Sequence, residues 1–273
     1  MQLTHDYFLS IKKNLMDNPA FEITLDEIAR TAAYLWDKGW AERNAGNISV
    51  NISGLMSSKE VDLFNNPVPP LPIAYPHLAN QYLIVTTAGS RMRDLARHPW
   101  EHSFILKMNA DGTSYQASCS ASVPTSELPT HLAVHNMLLR TKSTAKALLH
   151  AHATELIALT QISELCSTEK LNRLLWGMHP ETMLFISKGL GFIPYEISQN
   201  QDIAKTTAKT LEKYPVALWE KHGVLSTGTS ISDAFDNIDL LVKAAKIYFM
   251  VKSTGKEPEG LTDNQITELR KNL

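Results

Sequence analysis

The strongest chemical signal in the chain is His150-Ala151-His152. In a strand, residues two apart project to the same side, so both imidazoles can reach one point in space, as two ligands of a cation must. Leu149, Ala151 and Ala153 then take the opposite face, which suits packing. A lone His-X-His in an apolar strand is also compatible with two histidines hydrogen-bonded in a crowded interior, so a third ligand decides between the readings. His222 is the candidate. It follows the apolar run Val216 to Trp219 and directly precedes Gly223, where a turning chain exposes a side chain to a cleft. The other histidines are less suitable. His5 is near a terminus, His77 lies among prolines, His98 precedes Pro99, and His102 and His179 flank loops. His131 and His135 share a helical face at i and i+4, a spacing that can bind metal, but the glutamate of an HExxH motif is missing. They are assigned a structural or substrate-contact role. Three imidazoles with an open fourth position, and no thiolate nearby, are the layout of a catalytic zinc.

Three further segments could hold an anion. Val123-Pro124-Thr125-Ser126-Glu127-Leu128-Pro129 places hydroxyls and amides at the start of an expected helix, where free N–H groups and the helix dipole point outward. Plain helix capping accounts for the same residues. Asn44-Ala45-Gly46-Asn47 and Thr86-Thr87-Ala88-Gly89-Ser90 are loops in which glycine lets backbone approach a phosphate. Asn/Gly turns are common, so neither loop is decisive alone.

These segments need elements to position them. Thr24-Leu25-Asp26-Glu27 reads as a capping box before a helix with Ile28, Ala32, Leu35 and Trp36 on one face and Gly39 as its stop. Residues 1–40 thus form a helical N-terminal segment. Ile48, Val50 and Ile52 alternate as in a half-buried strand. Pro67, Pro69, Pro70, Pro72 and Pro76 mark residues 53–80 as an insertion loop or flap. A strand is expected over Tyr82 to Val85, and a hairpin over Ser103 to Ala117 with Asp111-Gly112 in its turn. A helix capped by Ser126 runs to Leu139, and the His-X-His strand spans Ala147 to Ala153. Helices follow around Thr154 to Ile162 and Asn172 to Trp176, with a strand at Met183 to Ile186, a helix over 202–213, and a strand over Val216 to Trp219. Ser232 caps a long amphipathic helix bearing Phe235, Ile238, Leu241, Val242 and Ala245. This order argues for one α/β domain over residues 1–273 with a largely antiparallel central sheet flanked by helices.

Composition removes several function classes. Twenty-six basic against 28 acidic residues, with no basic run, argue against nucleic acid as a partner. No stretch has the apolar length of a membrane span, and Met1 to Asn14 lacks the apolar core of a signal peptide. Cys119 and Cys166 cannot build a disulfide framework, so both are expected as free thiols in a reducing, cytoplasmic compartment.

Taken in order, Gly46-Asn47-Ile48-Ser49, the Thr-Ala-Gly loop, Thr125-Ser126-Glu127, His150-Ala151-His152 and His222-Gly223 resemble the class II aldolase/adducin family, from about residue 30 to about residue 250. The resemblance implies that fold, one Zn2+ per subunit on His150, His152 and His222, and aldol cleavage of a six-carbon ketose 1-phosphate. It implies Glu127 as acid/base, and phosphate contacts at Gly46, Asn47, Gly89 and Ser126, with Asn44 beside them. It also implies that Glu181 comes from a neighbouring subunit, hence a homotetramer acting on a small sugar phosphate. One departure is Ala88, where the family commonly has serine or threonine; Thr87 or Ser90 would then supply the missing hydroxyl. The chain after residue 255 matches poorly. A ketopentose-phosphate 4-epimerase on the same fold and a non-catalytic, adducin-like interaction module are the competing readings. The intact Ser126-Glu127-Leu128-Pro129 run counts against the first, and the three histidines with Glu127 count against the second.

Overall fold

A computed structural model describes residues 15, 17–56, 66–67, 70–117, 123–197 and 200–271. Its elements are α1 (Pro19–Asp37), β1 (Asn47–Asn51), β2 (Asn66–Pro67), β3 (Tyr82–Thr86), α2 (Met92–Leu95), β4 (Ser103–Met108), β5 (Tyr115–Ala117), α3 (Leu128–Arg140), β6 (Ala147–Ala151), α4 (Thr154–Leu159), α5 (Thr168–Met178), α6 (Pro180–Phe185), β7 (Leu190–Ile193), α7 (Gln201–Leu211), β8 (Val216–Trp219), β9 (Gly223–Gly228), α8 (Ile231–Lys252) and α9 (Asp263–Lys271).

The strands make one sheet in the order β2-β5-β4-β3-β1-β6-β9-β8-β7. Every neighbouring pair is antiparallel except β7 with β8. The expected largely antiparallel α/β sheet is what forms. Ile48, Val50, Leu149, Ala151, Leu218 and Val224 pack with Leu25 and Ile28 of α1 and Ile238 and Leu241 of α8. The other face packs on α3 and α7: Leu83, Val85 and Leu106 meet Leu128 and Leu132, while Leu148, Ala217 and Leu225 meet Val134, Ile203 and Leu211. Covered on both faces, the central strands are largely buried, and β3 is buried throughout, apolar from Tyr82 to Val85 and closing on Thr86.

Several expected boundaries move. Thr24 lies inside α1, where its hydroxyl donates to the Ala20 carbonyl (2.8 Å). The cap is Asn18, whose Oδ1 accepts from the Ala20 amide (3.0 Å), with Pro19 in the first turn. Glu27 instead accepts the Ser232 amide (3.0 Å), joining α1 to the first turn of α8. The cap of α8 is Ser230, not Ser232: its hydroxyl accepts from the Asp233 amide (3.0 Å). Trp36 is 38% exposed, under the Arg93 guanidinium, while Gly39 stops α1 at a positive φ of 73° as expected.

The expected strand at Met183 to Ile186 is the helix α6. Pro180 starts it, and the Thr182 hydroxyl bonds back to the carbonyls of Leu175 and His179. Met183 and Ile186 are buried while Leu184 and Phe185 are exposed, a spacing of three and not two. The strand of this region is β7, beside β8. The Asp111-Gly112 hairpin between β4 and β5 forms as read. In the 53–80 segment, Asn66–Pro67 adds an edge strand to β5, and the amides of Leu71 and Tyr75 donate to Thr113 and Gly112. Residues 57–65 and 68–69, Cys119, and residues 1–14 of the expected N-terminal helical segment lie outside the described residues.

Asn172 holds the start of β7 as a surrogate strand: its Nδ2 donates to the Leu190 carbonyl and its Oδ1 accepts the Leu190 amide, both at 2.8 Å. Both groups are buried. Asn172→Ala is expected to lower unfolding free energy by about 1–3 kcal/mol in urea denaturation, from two buried backbone groups left unbonded.

Candidate active site

His150 is the penultimate residue of β6 and His152 sits one residue past its end, while His222 lies in the tight connection from β8 to β9. Pairing of β6 with β9 sets Ala151 opposite Val224 and brings that connection against the end of β6. Gly223 is what allows the approach. A Cβ there would lie 2.7 Å from the Ala151 carbonyl oxygen and 2.8 Å from Cε1 of His150. The three rings meet with centroids 5.0–5.2 Å apart, and one nitrogen from each lies within 4.8 Å of the others. Among the described residues this is the group of histidine and acidic side chains that could hold a metal ion.

The histidine set fits a divalent cation. His150 Nδ1 donates to the Val224 carbonyl (3.1 Å), and His152 Nδ1 donates to Glu42 Oε1 (2.7 Å). Each therefore turns Nε2 inward as a lone pair, the arrangement that an acceptor behind the ring imposes on metal-ligating imidazoles. His150 Nε2 is buried with no protein partner. Burial pushes the His150 pKa down to about 3 and that of His222 down to about 4, with the neighbouring imidazoles adding to both shifts, so these two rings are neutral. Trp219 walls the group, its ring 5.2 Å from His150 and 5.0 Å from His222, with its indole N–H tied to the Thr207 hydroxyl (2.9 Å).

Glu127 faces this trio without joining it. Its Oε2 is 3.7 Å from His150 Nε2 and its Oε1 is 3.8 Å from His222 Nε2, both beyond hydrogen-bond range. It occupies the N-cap position of α3, one residue beyond the expected Ser126, yet makes no cap hydrogen bond there. Its Oε2 accepts from Asn47 Nδ2 (2.9 Å). Burial raises the Glu127 pKa, opposed by the Asn47 hydrogen bond and the neighbouring imidazoles.

The group opens into a cavity of about 210 Å³ lined by the 44–47 and 86–90 loops, Thr125, Ser126 and Glu127, and the three histidines. Asn44, Gly46, Asn47, Gly89 and Ser126 all border it, so the sequence candidates converge apart from Glu181. Glu181 lies on α6 and does not line the cavity. The 86–90 loop is laced to the segment that precedes α3: Ala88 and Thr125 amides donate to Val123 and Thr86 carbonyls (both 2.9 Å). Thr86 is spent on the backbone of Ile48, and Ser90 on His102 (3.0 Å), but the Thr87 hydroxyl is buried without a partner and can donate to a ligand. His131 and His135 stay outside the histidine trio. Sequence reasoning missed Glu42, whose bond to His152 spans 110 residues, and nothing in its local sequence marks it.

This fold and site belong to a known family. The family described as Class II Aldolase and Adducin N-terminal domain matches residues 26–249, and the chain is a member of it. It is 41% identical to the rhamnulose-1-phosphate aldolase of Bacteroides thetaiotaomicron, over 94% of this chain and 97% of that protein. It is 35% identical to the protein of the same name from Mannheimia succiniciproducens, over 81% and 83% of the two chains. Among solved structures, a sugar-phosphate aldolase from Thermotoga maritima superposes with a TM-score of 0.76 at 30% identity, covering 88% of this chain and all (100%) of that one. The chain is thus an enzyme of the class II aldolase type. Among the described residues no helix is long and apolar enough to cross a membrane.

Glu42→Ala frees the His152 ring and removes its charged acceptor. The variant is expected to bind zinc about 10–100-fold more weakly than the parent, measured by competition with a chromogenic chelator.

Proposed function

We propose that this chain reversibly cleaves L-rhamnulose 1-phosphate to dihydroxyacetone phosphate and L-lactaldehyde, using one Zn2+ held by His150, His152 and His222. The observation that carries this reading is the buried, non-ligating carboxylate of Glu127 facing the three imidazoles at the floor of a polar cavity. The identity to two relatives named for that reaction supports the choice of sugar.

A bound zinc ion would supply Lewis acidity to the substrate's oxygens. The rest is done by the chain. As the C3–C4 bond breaks, the C4 hydroxyl proton passes to the Glu127 carboxylate as the aldehyde carbonyl forms, the bond's electron pair stays with the dihydroxyacetone phosphate fragment, and Glu127 hands that proton on to C3; the synthetic direction runs the same transfers in reverse. The 44–47 and 86–90 loops with Ser126 hold the phosphate by backbone and hydroxyl dipoles, since among the described residues no lysine or arginine lines the cavity. Asn47 brings one free amide hydrogen, because its carboxamide is already bonded at both ends. Thr87 stands in for the hydroxyl that Ala88 lacks.

We place the reaction in the cytoplasm and the chain in a homotetramer, with Glu181 reaching into a neighbouring copy's cavity. In support, Glu181 is absent from its own cavity, and beside it α6 leaves Leu184 and Phe185 39% and 72% exposed, a surface that suits association.

Purified zinc-loaded protein is expected to release dihydroxyacetone phosphate from L-rhamnulose 1-phosphate in preference to L-fuculose 1-phosphate; turnover of neither would end the reading. His150→Ala is expected to lose both zinc and turnover. Glu127→Ala should keep its zinc while kcat falls by about 10²–10⁴-fold. Mixing separately inactive Glu127→Gln and Glu181→Gln chains under exchange should restore part of the activity, and no recovery would place Glu181 outside a shared site.

A further inference from the structure

Behind Glu127 and Asn47 runs a buried chain of polar groups whose further members, His131, Ser49 and His135, the proposed reaction does not use. Glu127, His131 and His135 are spaced by four along α3, so they lie on one face with about 6 Å of rise between them. Asn47 and Ser49 are two apart on β1 and face α3 with about 6.8 Å between them. The two spacings interleave. His135 Nε2 and His131 Nδ1 both contact the Ser49 hydroxyl (2.7 and 2.6 Å), His131 Nε2 contacts Asn47 Oδ1, and Asn47 Nδ2 contacts Glu127 (2.9 Å). All five residues are buried.

We propose that His131 is a positioning residue, which fixes the carboxamide of Asn47 so that its N–H points at Glu127 and holds that carboxylate in place. The kinetic consequence rests on the acid/base reading of Glu127; the hydrogen-bond direction does not.

The direction follows from the inventory of donors. A carboxylate accepts, so Asn47 presents Nδ2 to Glu127 and Oδ1 to the other side. An amide oxygen cannot donate, so His131 carries its proton on Nε2. Its Nδ1 is then a lone pair, which must receive the single hydroxyl hydrogen of Ser49, and the Ser49 oxygen must receive the Nε2 proton of His135. Burial keeps both rings neutral: the His135 pKa falls to about 4, and that of His131 falls well below its ordinary value. Each residue thus has one allowed orientation, set by the next. Apolar side chains would pack α3 on β1 without these constraints, and the ordered chain ends on the one carboxylate that faces the histidine trio. Without the His131 N–H, the Asn47 amide is free to turn its oxygen toward Glu127 and repel it.

The test begins with histidine-labelled wild-type protein. Long-range ¹H–¹⁵N NMR should show His131, identified by its loss in His131→Gln, protonated on Nε2 and bare on Nδ1 at neutral pH. The opposite tautomer or an imidazolium would overturn the proposal. In kinetics, His131→Leu should lower kcat about tenfold or more, with KM and zinc content within about twofold. His131→Gln, whose amide can donate where Nε2 does, should recover most of kcat. An unchanged kcat in the leucine variant, or equal losses in both, would also overturn it. Ser49→Ala covers a leucine variant that does not fold: it should give mixed His131 tautomers and a lowered kcat, and a single Nε2–H tautomer with full kcat would count against the proposal. Should the wild type cleave neither ketose phosphate, the functional reading fails while the tautomer still decides the direction of the chain.

Discussion

A neutral imidazole nitrogen buried without a partner is a costly thing for a fold to keep, by roughly 1–3 kcal/mol. His150 Nε2 is such an atom, and much of the surrounding structure sets it in place. Its ring is pinned from behind by the Val224 carbonyl and flanked by Trp219, and the glycine after His222 presses backbone against it. A cation offsets that cost only if two more nitrogens arrive without charge. Burial and the neighbouring imidazoles supply that condition at His222, and at His152 the Glu42 carboxylate takes up Nδ1 and leaves Nε2 to face inward. The metal-binding geometry is therefore a property of the sheet: β6 and β9 must pair in register for the histidines to meet.

The same constraint explains why local rules bend around the site. Thr125-Ser126-Glu127 has the residue types of a helix cap, yet the helix starts at Leu128 with an uncapped glutamate at its boundary. A capping carboxylate would fold back on the α3 amides. Glu127 instead extends to Asn47 and the histidines, so the first turn of α3 gives up a hydrogen bond worth about 1 kcal/mol. Departures of this kind mark function, because packing alone would not select them.

Legibility in the sequence tracked the range of the forces involved. The His-X-His strand, the His222-Gly223 turn, the Asp111-Gly112 hairpin and the Gly39 stop are set by neighbouring residues, and all were readable. Caps were readable in kind but not in place: Thr24 and Ser232 resemble caps as well as Asn18 and Ser230 do, and only the tertiary bond from Ser232 to Glu27 separates them. Met183 to Ile186 misled because a short apolar run has no decisive period, and Pro180 with Thr182 winds it into a turn of helix. The strand beside it, β7, hid behind Gly189 and Gly191. Glu42 and the Ser49 hydroxyl were illegible for a different reason. Their partners are 110 and more than 80 residues away, and no local pattern encodes such a meeting.

Those distant meetings have a shared logic. Glu127 receives the Asn47 amide on Oε2, and its two oxygens stand 3.7 and 3.8 Å from the Nε2 atoms of His150 and His222. That gap matters in the proposed reaction. A carboxylate pulled further in would become a fourth ligand and fill the position a sugar needs; one released outward would lose reach to C3. A restraint on the side away from the metal is the physical means of holding a carboxylate between those two outcomes, and a buried amide gives a firmer restraint than water. The amide must itself be kept from flipping, which takes a second hydrogen bond on its oxygen. Two rungs of α3 against two of β1 provide it, so helix–strand register, and not only loop chemistry, enters the placement of the proposed acid/base.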